Sequence, residues 1–176
     1  MNDMEIPEIA TDRLILEPLT ARHATRLYPD ISDQRIYQYI DESPPTSLAA
    51  LRKRYKSLEA RRSPDGSQFW LNWVLKKSSG DAYVGYVQAT VQGDEAIIAY
   101  VLLPRMWGLG YAYEAVRAML HFLSSECRVR RFIADVDRRN TRSIKLLQRV
   151  GFVKTQQKRK STDDAIKFIY VPKEAT

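Results

Sequence analysis

Hydrophobic positions along the chain alternate between a period of two and a period near 3.6, which are the spacings typical of strands and helices. In the first half, the pattern predicts a strand over residues 11–17, a helix over 21–28, a short helical turn and loop within 33–45 and a helix over 47–62. Thr20 is the expected N-cap of the first helix. Pro29 is expected to end that helix, because proline has no N–H to continue the bonding pattern.

Three β-rich runs follow, over residues 68–76, 82–91 and 96–103. Short polar segments that contain Gly separate them, which predicts an antiparallel meander. The remaining elements are predicted as a helix over 108–125, a strand over 132–136, a helix over 141–150 ended by Gly151, and strands over 152–157 and 165–171. This order indicates an α/β fold in a single domain over residues 1–176, with its core at about 11–171.

The composition is that of an ordinary globular protein, with 176 residues of which 44% are hydrophobic and 28% charged. A single cysteine, Cys127, cannot form an intramolecular disulfide or a cysteine-based zinc site. The first ten residues lack the pattern of a signal peptide, and no segment approaches the ~20 apolar residues of a membrane span. His23 and His121 have no second ligand at metal spacing. We therefore expect a cytoplasmic protein that binds neither a membrane nor a metal.

Basic residues outnumber acidic ones, 28 to 21, which gives a net charge of +7 and a pI of about 9.5. The basic residues are bunched at positions 52–54, 61–62, 128–131, 138–142 and 158–160. Such bunching fits an RNA surface, an acidic protein partner, a site for a phosphorylated cofactor or a merely solvated basic face. Charge alone leaves these four interpretations open.

One segment, between a predicted strand and a predicted helix, has the features of a phosphate site. Gly108 and Gly110 let the backbone approach a ligand closely, and the first amides of the following helix have no internal acceptors. A dinucleotide fingerprint would need Gly or Ala where Tyr113 stands, and a P-loop would need Gly-Lys-Ser/Thr, so both are excluded. Taken alone, the Gly-x-Gly also fits an ordinary tight turn.

Together with its neighbours, this segment resembles the GNAT acetyltransferase superfamily, in its branch of ribosomal-protein N-terminal acetyltransferases. The residues that carry the resemblance are Thr-Asp-Arg-Leu-x-Leu from Thr11, the run Tyr100 to Ala115 with its Arg-x-x-Gly-x-Gly, the strand 131–136, Asn140-x-x-Ser143 and Gly151-Phe152. These motifs cover nearly the whole chain in order. The resemblance implies a mixed β-sheet that is splayed into a V and flanked by helices on both faces, with acetyl-CoA in the cleft.

The resemblance also implies which residues hold acetyl-CoA. The amides of residues 106–111, with the Arg105 side chain, would hold the pyrophosphate, and the preceding strand would pair with the pantetheine arm and give one N–H to the thioester oxygen. Asn140 and Ser143 would face the same cleft near the sulfur. The expected cofactor-binding residues are Val101, Leu102, Leu103, Arg105, Met106, Trp107, Gly108, Leu109, Gly110, Tyr111, Asn140 and Ser143.

Acetyl transfer to an amine needs a neutral amine and a leaving thiolate that receives a hydrogen bond or a proton. Relatives of this branch often have Glu where Ile97 stands and Tyr where Leu147 stands. Glu95, two residues earlier on the same strand face, is therefore the candidate base, and Ser143 is the candidate partner of the leaving sulfur. Water, or an α-amine with its pKa near 8, could replace the base.

The expected acceptor is a primary amine, namely a protein N-terminal α-amine such as that of a ribosomal protein. A polyamine or an aminoglycoside is the alternative acceptor, and a non-catalytic module that binds acyl-CoA or RNA is the alternative outside the enzyme class. Direct transfer is expected, because Cys127 has no base beside it for a covalent route. Direct nucleic-acid binding is not expected, and the sequence leaves the oligomeric state open.

Simpler structural roles stay open for several of these residues. Asn140 fits a helix N-cap, Glu114 a first-turn or surface charge, and Trp107 the packing of the loop against the core. Four aromatic residues are candidates for the acceptor side, namely Tyr37, Tyr39, Trp70 and Trp73. Strand alternation allows only one of Trp70 and Trp73 to face the substrate.

Overall fold

A computed structural model describes residues 6–155 and 165–172. The strands in chain order are β1 (Ile9–Ala10), β2 (Leu14–Pro18), β3 (Phe69–Lys77), β4 (Tyr83–Gln92), β5 (Glu95–Leu102), β6 (Arg131–Asp137), β7 (Val153–Lys154) and β8 (Ala165–Tyr170). The helices are α1 (His23–Ile31), α2 (Leu48–Leu58), α3 (Tyr111–Ser125) and α4 (Thr141–Val150), with 3₁₀ turns at Gln34–Tyr39 and Pro104–Met106. The predicted order of elements is confirmed, with β1 and the second 3₁₀ turn added.

The eight strands form one mixed sheet in the order β1-β2-β3-β4-β5-β6-β8-β7. β3, β4 and β5 pair antiparallel in sequence, which confirms the predicted meander. β6 pairs parallel to β5 after the crossover through α3, and the two strands are in register only over Glu95–Ile97 and Arg131–Ile133. The remaining part of β5, from Ile98 to Leu102, diverges from β6. This divergence is the V-shaped splay that the resemblance implies.

Helices cover both faces of the sheet. Trp73 of β3 is fully buried and packs edge-on against Phe122 of α3, with ring centroids 5.7 Å apart. Asn72 has the opposite orientation because side chains alternate along a strand, and it lines a cavity beneath α1 and α2. The α1 and α2 pair therefore lies on one face, and α3 lies on the other.

The ends of α1 differ from the prediction. Its N-cap is Arg22, not Thr20, because the Thr20 N–H donates to His23 Nδ1 at 2.9 Å and residues 20–22 form a separate turn. The helix also continues through Pro29 as far as Ile31. Pro29 is exposed in the last turn, where it removes one backbone bond, while Ile31 reaches the core.

The other helices follow their local signals more closely. Ser47 caps α2 by accepting from the Ala50 N–H at 3.0 Å, but the helix ends at Leu58, not at residue 62. α4 has the predicted bounds, with Asn140 as its N-cap and Gly151 in the left-handed conformation after its last residue. The predicted strand over 152–157 is reduced to β7 among the described residues, and the basic cluster 158–160 lies outside them.

Candidate active site

The loop between β5 and α3 follows the splayed end of β5. It makes a 3₁₀ turn and then passes through Gly108 and Gly110, which both have left-handed φ values, of 77° and 82°. α3 begins at Tyr111, three residues later than predicted, because the left-handed Gly110 cannot belong to the helix. The free amides at the start of α3 thus lie beside two glycines that carry no side chain to obstruct an anion.

Glu114, in the first turn of α3, ties this loop to the chain segment before β2. Its Oε1 accepts from the Thr11 hydroxyl at 2.6 Å and from the Arg13 backbone N–H at 2.8 Å, and its Oε2 accepts from Arg13 Nε at 2.7 Å. Partial burial raises the pKa of Glu114, but these hydrogen bonds outweigh it and the net pKa is lowered. The carboxylate is therefore a structural anchor, which agrees with its predicted place as a first-turn charge.

Arg13 also contacts the loop directly. Its Nη1 donates to the Leu109 carbonyl at 3.0 Å, and its guanidinium carbon lies 4.6 Å from the centre of the Tyr111 ring. A carboxylate in the first turn of α3 would repel an anionic ligand at the same helix end, and the Arg13 charge offsets that repulsion. Sequence analysis did not single out Arg13 as a site residue, although it lies within one of the motifs that carry the resemblance.

Three side chains fix the loop on its other side. Arg105 Nη1 pairs with Asp30 of α1 at 2.5 Å, so this guanidinium is shared with a protein carboxylate. Trp107 Nε1 donates to the Leu102 carbonyl at 2.7 Å, which supports the interpretation of Trp107 as loop packing. The Arg142 guanidinium lies 5.1 Å from the centre of the Trp107 ring, and this contact brings the start of α4 to the loop.

Asn140 and Ser143 lie together at the start of α4. Asn140 Oδ1 accepts from the Ser143 N–H at 3.1 Å, so Asn140 fills the N-cap role. Ser143 Oγ is 2.6 Å from the hydroxyl of Tyr100, which reaches α4 from the splayed part of β5. Burial raises the pKa of Tyr100 to about 12, and the Ser143 bond only partly opposes this. Sequence analysis gave Tyr100 only a backbone role, in the strand that would pair with pantetheine, and its hydroxyl contact was not expected. Leu147, where relatives often have Tyr, is fully buried.

Glu95 lies at the closed end of the gap between β5 and β6. Its Oε1 pairs with Arg131 Nη1 at 2.7 Å, and its backbone is in register with Arg131. Five residues of extended strand, about 17 Å, separate Glu95 from Tyr100. The structure therefore does not bring the two candidate catalytic residues, Glu95 and Ser143, together.

A cavity lies on the other face of the sheet, beneath α1 and α2. It is lined by Leu19, Ile31, Tyr37, Pro45, Leu51, Arg54, Tyr55, Leu58, Asn72, Tyr86 and Gln88. Tyr55 is only 3% exposed, and its hydroxyl has no hydrogen-bond partner among the described residues. Burial raises the pKa values of both Tyr55 and Tyr86, so both phenols are neutral donors at neutral pH. Glu42, at the edge of this cluster, is paired bidentately with Arg54 at 2.9 and 3.0 Å.

The four aromatic candidates for the acceptor side are separated by the fold. Tyr37 lines the cavity, and its hydroxyl donates to the Ile31 carbonyl at 2.8 Å. Trp73 belongs to the core on the α3 face, and its Nε1 donates to the Pro7 carbonyl at 2.9 Å. Trp70 and Tyr39 are not among the residues that line the cavity. Within residues 6–155 and 165–172, no group of three or more His, Cys, Asp or Glu side chains is placed to hold a metal ion.

One strand, β5, lies between the cavity beneath α1 and α2 and the gap between β5 and β6. Gln88 of the cavity is in register with Ala99 of β5, and Tyr86 with Val101. Ala99 is exposed on the cavity face, whereas Tyr100 points to the α3 face. The splayed part of β5 therefore lies between the cavity and the gap.

The model of the Acetyltransferase (GNAT) domain matches residues 13–153. The uncharacterized N-acetyltransferase p20 of Bacillus licheniformis is 27% identical over 147 residues, which make up 82% of this chain and 81% of that protein. The structure resembles the ribosomal L7/L12 alpha-N-protein acetyltransferase RimL in complex with coenzyme A, with a TM-score of 0.81, 16% identity and coverage of 94% and 98% of the two chains. It also resembles the spermidine N-acetyltransferase of Vibrio cholerae in complex with CoA and spermine, with a TM-score of 0.76, 16% identity and coverage of 92% and 96%. No helix among the described residues is long and apolar enough to cross a membrane.

Proposed function

The chain belongs to the family of acetyltransferase (GNAT) domains, and from that premise we propose that it transfers the acetyl group of acetyl-CoA directly to a protein N-terminal α-amine. The N-acetyltransferase activity itself follows from the family and from the curated relative. The observation that carries the proposal is the position of the two-glycine loop at the open end of the gap between β5 and β6. This arrangement joins an anion site to a slot bordered by strand backbone.

The residues present fit the parts of coenzyme A. The amides around Gly108 and Gly110 suit the pyrophosphate, with Arg142 beside them on Trp107. The backbone of β5 from Ile98 to Leu102 faces the gap and suits the amides of the pantetheine arm. Because Arg105 is paired with Asp30, we assign to Arg105 the positioning of the loop. We assign most of the phosphate contact to the backbone amides.

The lining of the cavity supports an acceptor with a single positive charge and nearby carbonyl groups. The neutral phenols of Tyr55 and Tyr86 and the amide of Gln88 donate hydrogen bonds that peptide carbonyls accept. Glu42, next to this lining, is neutralised by Arg54. A polyamine with several positive charges would meet an arginine there without an unpaired carboxylate to balance it. A peptide N-terminus fits this lining better than a polyamine does.

The reaction forms a bond from nitrogen to carbon and breaks the bond from carbon to sulfur. The protein must therefore orient the amine, donate hydrogen bonds to the thioester oxygen and stabilise the thiolate. We assign the oxygen contact to a backbone N–H of β5 and the sulfur contact to the Ser143 hydroxyl. The α-amine, with its pKa near 8, can lose its proton to water. Glu95 keeps at most an indirect role through water, because it is paired at the closed end.

The loop assignment is tested with two variants of the same bulk. Gly110→Asp and Gly110→Asn both place a side chain in a left-handed position whose added carbon would lie 3.3 Å from Arg13 Nη2. Only the aspartate adds negative charge where we place the pyrophosphate. We expect acetyl-CoA to bind Gly110→Asp at least ~10-fold more weakly than Gly110→Asn, measured by calorimetry, because a like charge at this range costs on the order of 1 to 2 kcal/mol. Equal affinities would refute the placement.

The acceptor is tested by thiol release from acetyl-CoA with a panel of N-terminal peptides, spermidine and an aminoglycoside. The proposal expects the highest kcat/KM with a peptide. A preference for spermidine would overturn the acceptor class while leaving the acetyltransferase in place. Cofactor binding without turnover on any amine, or RNA affinity that falls steeply with salt and survives the Gly110→Asp change, would favour a binding module instead.

A further inference from the structure

We propose that Tyr100 is a positioning residue for the transfer step: its hydroxyl lies 2.6 Å from Ser143 Oγ, and by donating to that oxygen it directs the Ser143 proton into the gap between β5 and β6. The inference rests on the proposed function, which assigns the sulfur contact to Ser143. Tyr100 is the first residue of the run 100–115 that carries the family resemblance, but the resemblance implies no role for its side chain. It is identified by its contact alone, across 43 residues of sequence.

Tyr100 lies where β5 and β6 diverge. It lies three residues beyond Ile97, the last residue of β5 in register with β6, and its side chain crosses to the first turn of α4. Its hydroxyl lies 2.6 Å from Ser143 Oγ and 3.4 Å from the Ser143 carbonyl oxygen. Both residues are only partly buried, so a ligand in the gap can contact the pair.

The Ser143 hydroxyl is not needed to hold α4 in place. The helix is capped by Asn140, whose side-chain oxygen accepts from the Ser143 N–H. A serine in a first turn often bonds to nearby backbone instead, but here the Ser143 hydroxyl contacts that of Tyr100. The hydroxyl pair is therefore separate from the structural role of the helix start.

The direction of the hydrogen bond follows from the chemistry of the two hydroxyls. A phenol is more acidic than an aliphatic hydroxyl and so is the better donor, and burial keeps the Tyr100 phenol neutral at neutral pH. If Tyr100 donates, the single proton of Ser143 is available for a second acceptor. Each bond in such a chain polarises the next, so the Ser143 hydroxyl becomes a stronger donor to a thiolate.

No proton leaves Tyr100 in this scheme. The bond from nitrogen to carbon forms, the bond from carbon to sulfur breaks, and the electron pair of the broken bond stays on sulfur. The Ser143 hydroxyl donates a hydrogen bond to that thiolate. The amine releases its proton to water and the thiolate takes one from water, so the protons balance without a change at either hydroxyl.

The test begins with Tyr100→Phe, which keeps the ring and removes the donor. We expect kcat with the best acceptor from the panel to fall about 10-fold, as for loss of a charge-assisted hydrogen bond, while the KM for acetyl-CoA stays within about twofold. Tyr83→Phe is the matched control, because the Tyr83 ring packs against His23 and Arg26 of α1 on the opposite face of the sheet from Tyr100. Thermal unfolding of both variants separates a loss of kcat from a loss of folded protein.

A double-mutant cycle with Ser143→Ala distinguishes action through Ser143 from any other role of the ring. The proposal expects the double variant to be no slower than Ser143→Ala alone, since Tyr100 acts through the missing hydroxyl. Multiplicative losses, an unchanged kcat in Tyr100→Phe, or a lower KM with unchanged kcat would each overturn it. The last result would mean that the cofactor has to break this hydrogen bond. An inactive wild-type protein would overturn the proposed function and this inference together, whereas an active wild type isolates the role of Tyr100.

Discussion

The anchor at Glu114 gives the sharpest prediction about the cofactor loop. One carboxylate holds three donors from a segment more than 100 residues away, namely the Thr11 hydroxyl, the Arg13 amide and Arg13 Nε. Glu114→Ala removes all three bonds. Glu114→Gln keeps a side-chain carbonyl that can accept from Thr11 and from the Arg13 amide, but it loses the charge that pairs with the Arg13 guanidinium.

The two variants should differ in stability by a predictable amount. The Glu114 side chain is 16% exposed, whereas Arg13 is 48% exposed, so water screens the ion pair and it contributes only about 0.5 kcal/mol. The bond from Thr11 is partly buried, and the loss of this bond and of the one from the Arg13 amide, with both donors left partly without acceptors, costs about 2 kcal/mol. At about 2 to 4 °C per kcal/mol for a chain of this size, Glu114→Ala should lower Tm by about 5 to 10 °C and Glu114→Gln by about 1 to 2 °C.

Calorimetry of unfolding and of acetyl-CoA binding measures both consequences. We expect the Kd of acetyl-CoA to rise about fivefold in Glu114→Ala, since binding must then order a loop that the anchor no longer holds. Because the folded pKa of Glu114 is lowered, its charge stabilises the protein above the ordinary pKa of 4.5 and that contribution is lost as the pH falls through the folded pKa. The difference in Tm between wild type and Glu114→Gln should therefore have its full size at neutral pH and disappear in acid. Equal losses in the two variants at neutral pH would refute the reasoning.

Three further changes test other parts of the site. In Gly85→Ala the new carbon would lie 2.0 Å from the Val101 carbonyl oxygen, so β5 must move. We expect the free energy of unfolding to fall by at least about 3 kcal/mol, measured by thermal unfolding. Gly80→Ala is the control and should change it hardly at all, because the carbon added there meets nothing within 4 Å. Tyr55→Phe removes a buried hydroxyl without a described partner, and should leave Tm unchanged or raise it while the acceptor KM rises several-fold; an unchanged KM would exclude Tyr55 from acceptor binding. Glu95→Gln should keep kcat within about twofold across the pH profile, whereas loss of the acid limb, where a general base becomes protonated, would restore Glu95 as the base.

The elements that could be predicted are those whose signals are local. α4 has the predicted bounds because Asn140 and Gly151 carry strong capping preferences at its two ends. The meander follows from runs of period two separated by glycine turns. The predicted C-terminal end of α1 was wrong because tertiary packing of Ile31 extends the helix past a proline that, locally, favours a stop. The predicted N-cap was wrong because Thr20 bonds to the His23 side chain in a separate turn.

The contacts that organise the site could not be read from local pattern. The Glu114 carboxylate meets Arg13 across 101 residues, and Tyr100 meets Ser143 across 43, so neither pair leaves a periodic trace in the sequence. The resemblance placed the loop and the start of α4 in one cleft, and the Arg142 to Trp107 contact agrees with that. Because the sequence departs from the family pattern at Ile97 and Leu147, Glu95 and Ser143 were the candidates for base and sulfur partner, and the fold does not bring these two together.

Because only the first three residues of β5 pair with β6, the rest of β5 forms an unpaired strand edge in the middle of the sheet. Unpaired strand edges usually lie at the rim of a sheet, where other chains can add to them and start aggregation. Here the edge faces a narrow slot that α4 closes on one side through the contact between Tyr100 and Ser143. Because β6 and α4 flank this edge, an incoming polypeptide strand has less access to it than to an edge at the rim of the sheet. The same geometry that offers backbone hydrogen bonds to a cofactor thus protects the protein from pairing with itself.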